Sequence, residues 1–409
     1  MKQQVSVIKV NGELKWSLEQ CLAKIGGICS VVSKGNRVVI KPNCLAALNK
    51  ETGATTSPEL VGLVSEMCFE AGAKIVSVAE SSNWGVDTMV AFKTCGYIEA
   101  AKKYGFELVD LKMSPYRTVN VNGVVLKKVQ IPEIILESEV LINMPVLKAH
   151  DMTIITIGIK NTSVGISTDD DKQACLHRIG IFEALPVELA ERGSFLEYSM
   201  VDINSAFPCN LTIVDALVAQ DGLGAPLSGT PVRANMLIAG KDRLAVDAVG
   251  AKLMGYQPTN IPHLNFAYEN GLGEINLAKI NTFGFDLDEN CLHFKPAYYP
   301  DIKEIDDTIR VVCGIGCDAC KATINYAILR HKEDLKKLNI PVTIFIGRVK
   351  HYKPDKTKRL YLHYGNCAGQ SLYGGCFVPG CPPRSRRQFL QAIGAMDIYD
   401  SDENFNLTR

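Results

Sequence analysis

Arg37-Val-Val-Ile-Lys41-Pro42-Asn43-Cys44, followed by Gly53-Ala-Thr55-Thr56-Ser57-Pro58 and then Lys74-Ile-Val-Ser-Val-Ala-Glu80, is the stretch whose reading decides the fold. Its first and last segments are short, apolar and rich in β-branched residues, as buried strands are. Between them Ser57 stands where a helix cap belongs and Pro58 suits a first helical turn. Leu60, Val61, Val64 and Cys68 then fall on one helical stripe, and Gly72 stops the helix. Strand, loop, helix and strand in this order predict an α/β fold with a doubly wound, largely parallel sheet. In such sheets the loops after the strands carry the ligand-binding groups.

Upstream, Met-Lys-Gln-Gln-Val-Ser-Val-Ile-Lys-Val alternates like a strand and precedes an amphipathic segment from Leu18 to Ile25. Downstream, residues 119–132 read as a polar insert and Val140-Leu-Ile-Asn-Met-Pro145 as a buried strand that delivers Lys148 and His150. A threonine-rich stretch then leads to Lys160 and Asn161, and Thr168-Asp-Asp-Asp-Lys172 reads as a solvated turn. Leu211-Thr-Ile-Val-Asp215 is a further strand, ahead of Gln220-Asp221-Gly-Leu-Gly, and a helix is expected from Leu244 to Met254. The expected organisation is an α/β domain over 1–255, a connector over 256–305 rich in Asn, Pro and aromatics, and a smaller domain over 306–409.

The 409 residues balance 44 Lys and Arg against 44 Asp and Glu, which gives no electrostatic case for nucleic acid or an anionic membrane. No apolar run reaches the length of a membrane span, and the N-terminal segment lacks a signal peptide's apolar core. The expected location is therefore the cytoplasm. There, 14 cysteines point to reduced thiols and metal chemistry, with an oxygen-poor cell as the natural setting.

Lys41, Lys148 and Lys160 fall at or after strand ends, beside Asn43, Thr55, Thr56, His150 and Asn161. If those ends converge, they make a pocket of cationic donors and hydroxyls suited to the carboxylate or phosphate of an anionic small molecule. In that reading Lys41, Asn43, Thr55, Thr56 and Asn161 bind the substrate, and Lys148, His150, Lys160 and Asp221 form the catalytic set. The competing reading has solvated lysines and asparagines that merely satisfy loop backbone. Glu80, Asp215 and Asp247 either tune proton donors or hold the lysines as structural ion pairs, with Asp247 expected to do the latter or to cap a neighbouring element. Cys44 reads as a small buried cysteine or as a thiol acidified by lysine. Asp221-Gly-Leu-Gly lacks the context of a dinucleotide fingerprint.

The last third contains Cys313-Gly-Ile-Gly-Cys317-Asp-Ala-Cys320, then Tyr364-Gly-Asn-Cys367-Ala, Gly374-Gly-Cys376 and Val378-Pro-Gly-Cys381-Pro-Pro. Thiolates are soft ligands, and a [4Fe–4S] cluster needs four converging from turns with room for close approach, which glycine supplies. A Cys-x-x-Cys pair followed by two single cysteines reads as one such site. Structural zinc and free thiols stay open as alternatives; a disulfide set would need an oxidising compartment.

Gly316-Cys317-Asp-Ala-Cys320, Gly365-Asn-Cys367-Ala and Val378-Pro-Gly-Cys381-Pro-Pro, in that order, resemble the cluster-binding domain of the nickel–iron hydrogenase small subunit and its relative in respiratory complex I. Position by position, the resemblance implies that Cys317, Cys320, Cys367 and Cys381 ligate a [4Fe–4S] cluster within a smaller α/β iron–sulfur domain. Cys313 and Cys376 fall outside that quartet. The long N-terminal part resembles the DUF362 family through Val39-Ile-Lys41-Pro-Asn43, Gly53-Ala-Thr55-Thr56-Ser-Pro58, Asn143-Met-Pro145-Val-Leu-Lys148-Ala-His150, Gly158-Ile-Lys160-Asn161, Val214-Asp215-Ala, Asp221-Gly-Leu-Gly and Ala245-Val-Asp247-Ala. That resemblance implies a domain often joined to iron–sulfur modules and names no reaction.

Taken together, these readings lead to the expectation of an iron–sulfur oxidoreductase that takes electrons from a ferredoxin-like donor and passes them to an anionic small molecule among the lysines. A non-redox lyase or dehydratase with an open cluster corner, and a sulfur-transfer or cluster-assembly protein, are the alternatives. A homodimer is one way to bring a distant cluster and lysine set together.

Overall fold

The structure is a computed structural model and describes residues 2–178, 181, 183–222, 225–284, 286–297, 308–316, 318–350, 352, 359–370, 375–384 and 386–394. The chain divides into one unit of residues 1–171 and 199–297 and a second drawn from 172–198 and 298–409.

In the first unit the strands are β1 (Gln3–Lys9), β2 (Arg37–Pro42), β3 (Ile75–Glu80), β4 (Glu107–Asp110), β5 (Tyr116–Asn120), β6 (Lys128–Pro132), β7 (Val140–Met144), β8 (Val146–His150), β9 (Ile154–Thr156), β10 (Leu211–Asp221), β11 (Thr230–Val232), β12 (Met236–Gly240) and β13 (Ile280–Phe283). The main sheet runs β13-β1-β12-β10-β7-β2-β3-β4, and every pairing along it is parallel except the two that β12 makes. The α/β, doubly wound reading holds. Val38, Val39 and Ile40 of β2 are all buried, on alternating faces, because both sides of the sheet are covered. One cover is the helix Pro58–Glu70, whose Leu60, Val61, Val64 and Cys68 pack with Val38, Ile40, Val76 and Val78. Each such aliphatic side chain contributes roughly 1.5–3 kcal/mol by leaving water.

Several expectations are corrected. Ser57 precedes that helix, but its hydroxyl finds no partner among the described residues; the carboxylate of Asp215 accepts the Ser57 N–H instead, at 2.7 Å. The insert at 119–132 contributes to a two-stranded antiparallel ribbon, β5 with β6. Residues 256–297 are not a connector: they supply the helix Pro262–Glu269 and β13, which pairs in parallel with β1. Residues 172–198, read as part of the first domain, belong to the second unit, where Asn366 Nδ2 donates to Ile181 O and Glu183 O and Arg348 donates to Leu185 O. Lys172, expected in a solvated turn, is buried.

The second unit holds β14 (Ile309–Cys313), β15 (Val342–Ile346), β16 (Leu360–Tyr364) and β17 (Cys376–Val378), paired in that order and all parallel. Ile324 and Ile328 of the helix Asp318–Arg330 pack with Ile344, Leu362 and Val378 in its core.

Candidate functional site

From β2 the chain moves one way to β3 and β4, then returns to lay β7 on the other side of β2. The strand order reverses between β2 and β7, and a crevice outside the carboxyl ends of the strands is the place where such sheets bind ligands. Lys41 and Pro42 end β2, Glu80 ends β3 and Met144 ends β7, so the polar residues that follow meet at this edge.

The three lysines arrive there partnered. Lys41 Nζ lies 2.7 Å from Glu80 Oε1, both side chains fully buried, and donates to Pro42 O at 2.6 Å. Burial pulls the Lys41 ammonium below its ordinary range while Glu80 pulls it up. Gly165 packs against this pair; a Cβ there would stand 2.6 Å from Lys41 Nζ. Lys148 Nζ donates to Asn43 Oδ1 and to Ala54 O, each at 2.7 Å. Its burial, only partly offset by Glu80, brings it down to about 7. Lys160 Nζ meets His150 Nε2 and donates to Thr153 Oγ1 at 3.2 Å.

Asparagines tie the edge together. Asn161 Nδ2 donates to Asn143 Oδ1 at 2.8 Å and to the carbonyls of Lys41 and Pro42 at 3.1 and 3.2 Å; its Oδ1 accepts from Asn43 Nδ2 at 3.1 Å. Thr56 Oγ1 accepts the Asn43 N–H at 2.9 Å and donates to Met144 O at 2.7 Å. Lys41, Asn43, Thr56, Lys148 and Asn161 therefore form one network.

His150 and Lys160 share a proton position. His150 Nδ1 lies 3.0 Å from both the Met152 N–H and Asp151 Oδ1. With a proton on Nδ1 facing Asp151, Nε2 accepts from Lys160. With Nδ1 accepting from Met152, Nε2–H donates to an unprotonated Lys160 amine.

Two expected members stand apart. Asp221 accepts the Lys295 N–H at 3.1 Å and bonds none of the three lysines, and Thr55 donates to Leu48 O. The other acids hold backbone. Asp247 accepts the N–H groups of Gly158 and Ile159 at 2.7 and 2.9 Å, capping the turn Gly158–Asn161, and burial pushes it up to about 7. Asp215 accepts from Ser57 and Leu217 and is pushed up to about 6 by burial. Cys44 is buried, 3.6 Å from Cys95 Sγ, and Cys95 together with burial pushes its thiol up, so the acidified alternative falls.

Glu80 takes the structural ion pair with a lysine that was one of its two expected roles, and Asn143 is the network member not singled out from the sequence. Asn143 had a visible signal, a lone amide inside the apolar run Val140–Met144. Glu80 also carries more than Lys41: its Oε2 accepts the Cys44 N–H at 2.6 Å, fixing the loop after β2.

In the second unit, the loops after β14, β16 and β17 leave the same edge of the parallel sheet. Cys320 lies in the first turn of the helix after β14, Cys367 follows β16 and Cys381 follows β17; all three are buried. Asn366 binds Gly380 twice, N to O at 2.9 Å and Oδ1 from N at 2.7 Å. Gly365, at φ +94°, leaves a place where a Cβ would stand 2.9 Å from Cys320 Sγ. Cys317 lies outside the described residues, Cys313 is exposed and Cys376 half-buried. Among the described residues no three His, Cys, Asp or Glu side chains are gathered to hold a metal ion, and no helix is long and apolar enough to cross a membrane.

The profile of a family described as a domain of unknown function, DUF362, matches residues 38–252. The chain belongs to the DUF362 family. The matched span runs from β2 into the helix Arg243–Leu253 and contains the whole network at the first sheet's edge. The thylakoid-associated protein sll1697 of Synechocystis sp. is 27% identical over 251 residues, 61% of this chain and 73% of that protein. The lactate racemase apoprotein of Thermoanaerobacterium thermosaccharolyticum superposes with a TM-score of 0.40 at 11% identity, over 84% of this DUF362 chain and 69% of the racemase.

Proposed function

We propose that this DUF362 protein is a cytoplasmic iron–sulfur oxidoreductase of an oxygen-poor cell. Cys317, Cys320, Cys367 and Cys381 hold a [4Fe–4S] cluster, a ferredoxin-like protein reduces it, and an anionic small molecule binds at the edge between β2 and β7. The observation that carries the reading is the construction of the second sheet's edge. Three buried thiols sit in segments leaving that edge, one in a helix's first turn and two in loops, the loops of Cys367 and Cys381 are stitched by Asn366, and Gly365 leaves the space beside Cys320 Sγ open. Soft sulfur donors on glycine-spaced turns suit iron.

A bound cluster supplies electrons one at a time. At the first sheet's edge, Lys148 exchanges a proton near neutral pH, the range in which an acid–base group is most effective. The Lys160–His150 pair is a second proton carrier, and an anion bound near Lys148 stabilises its ammonium form. Lys41, neutralised by Glu80, acts as a fixed support and not as a free cation, a change from the role its position in the sequence suggested.

The test is iron and acid-labile sulfide content of protein purified without oxygen, with electron paramagnetic resonance before and after dithionite, for wild type and Cys381→Ala. About four irons and four sulfides, with a reducible signal lost or altered in the variant, is the expected result. Zinc without sulfide overturns the proposal.

A further inference from the structure

Lys148 is bonded as a free amine would be. Its two acceptors, Asn43 Oδ1 and Ala54 O at 2.7 Å, are both neutral, and among the described residues no carboxylate lies within ion-pair distance of it. The side chain is only 1% exposed. An ammonium brings three N–H donors and would leave one without a partner at this depth. An amine brings two, both used, and keeps one lone pair. The charged or titratable groups around it are Glu80, Lys41 and Cys44; Glu80 is committed to Lys41, and the positive charge of Lys41 disfavours a second one nearby. Asn43, which holds the amine, is half-buried, so the network reaches solvent on that side.

We propose that Lys148 is a nucleophile that forms an imine with the carbonyl carbon of a small oxo acid, which makes carbonyl compounds the substrate class of this edge. The nitrogen lone pair adds to the carbonyl carbon, and a proton passes from nitrogen to the former carbonyl oxygen. Loss of water then leaves the C=N bond. Amine and carbonyl become imine and water, with no change in oxidation state and no further reactant. Asn43 Oδ1 and Ala54 O orient the amine for the addition. The inference rests on the proposed function only for the anionic character of the molecule; the condensation needs neither cluster nor electron donor.

The experiment is reductive trapping on the full chain purified without oxygen, with pyruvate or glyoxylate and sodium cyanoborohydride, read by intact mass and peptide mapping. One adduct on the peptide containing Lys148 is expected, forming about ten-fold more slowly at pH 6 than at pH 8 as the amine is protonated. Lys148→Arg should abolish it, and the mapped site in wild type decides the matter even if that variant fails to fold. No adduct, or adducts spread evenly over surface lysines, overturns the inference. Trapping at Lys148 in protein without iron and sulfide would sink the iron–sulfur proposal alone; a reducible cluster without trapping would sink the imine alone.

Discussion

At the edge of the first sheet, Lys41, Glu80, Asn43, Asn143 and Asn161 satisfy one another through side chains drawn from distant parts of the chain. At the edge of the second, the loops are joined through short motifs in which glycine matters as much as the polar groups: Gly365 makes room beside Cys320, and Gly380 bonds Asn366. The first edge is a prebuilt polar interior, in which each group is costly to remove because its partners stay buried. The second is a set of close approaches, in which bulk is what cannot be added. Substitutions should therefore act in opposite senses, by subtraction at one edge and by addition at the other.

The largest effect is expected for Glu80→Ala, which leaves the Lys41 ammonium uncompensated in the interior and should cost about 3–5 kcal/mol in denaturant unfolding. A loss below about 1 kcal/mol would mean that the pair is solvated and the contrast false. Gly365→Ala comes next: a left-handed φ and a 2.9 Å approach to sulfur together should cost about 1–3 kcal/mol and lower the iron content. Gly12→Ala, equally left-handed at φ +99° but with nothing within 4 Å, separates the backbone share, about 1 kcal/mol, from the steric one. Equal losses at the two sites would remove the role given to close approach.

Asp247 gives a pH test. Its carboxyl titrates near 7 when folded and near 4 when unfolded, so in between the folded chain holds a proton that the unfolded chain has released. The stability from this group is therefore full below about pH 4 and is lost as pH rises through about 7. Asp247→Asn should flatten unfolding free energy against pH over that window; an unchanged slope would assign it to other groups. The smallest effect belongs to Ser57→Ala, expected within about 0.5 kcal/mol of wild type because the hydroxyl caps nothing. A loss of about 1 kcal/mol would restore the serine as the cap.

The sequence made β2, the helix Pro58–Glu70 and β3 legible because each is buried over most of its length and carries a plain apolar pattern. It hid β13, whose four residues lie in a polar stretch and owe their conformation to β1, far away in the chain. The lysines were visible as strand-end residues and the acids as candidate partners, but which acid pairs was not, since no local rule distinguishes Glu80, which binds a lysine, from Asp215 and Asp247, which bind backbone N–H groups. Asp221 looked the better acid for its glycine-rich surroundings, yet it ends β10 and its carboxylate accepts the backbone N–H of Lys295. The cysteine motifs stand out because their spacing is written within a few residues of each thiol.

Asn161 donates to three oxygens and accepts from Asn43. Replacing it alone strands amides and carbonyls on both β2 and β7, and replacing any neighbour strands Asn161 in turn. Such an arrangement resists change one step at a time: a descendant protein could revise it only through several substitutions arriving together. Selection for a new substrate would then leave this knot inherited intact and work on the surrounding loops, so relatives with different chemistry should still share it.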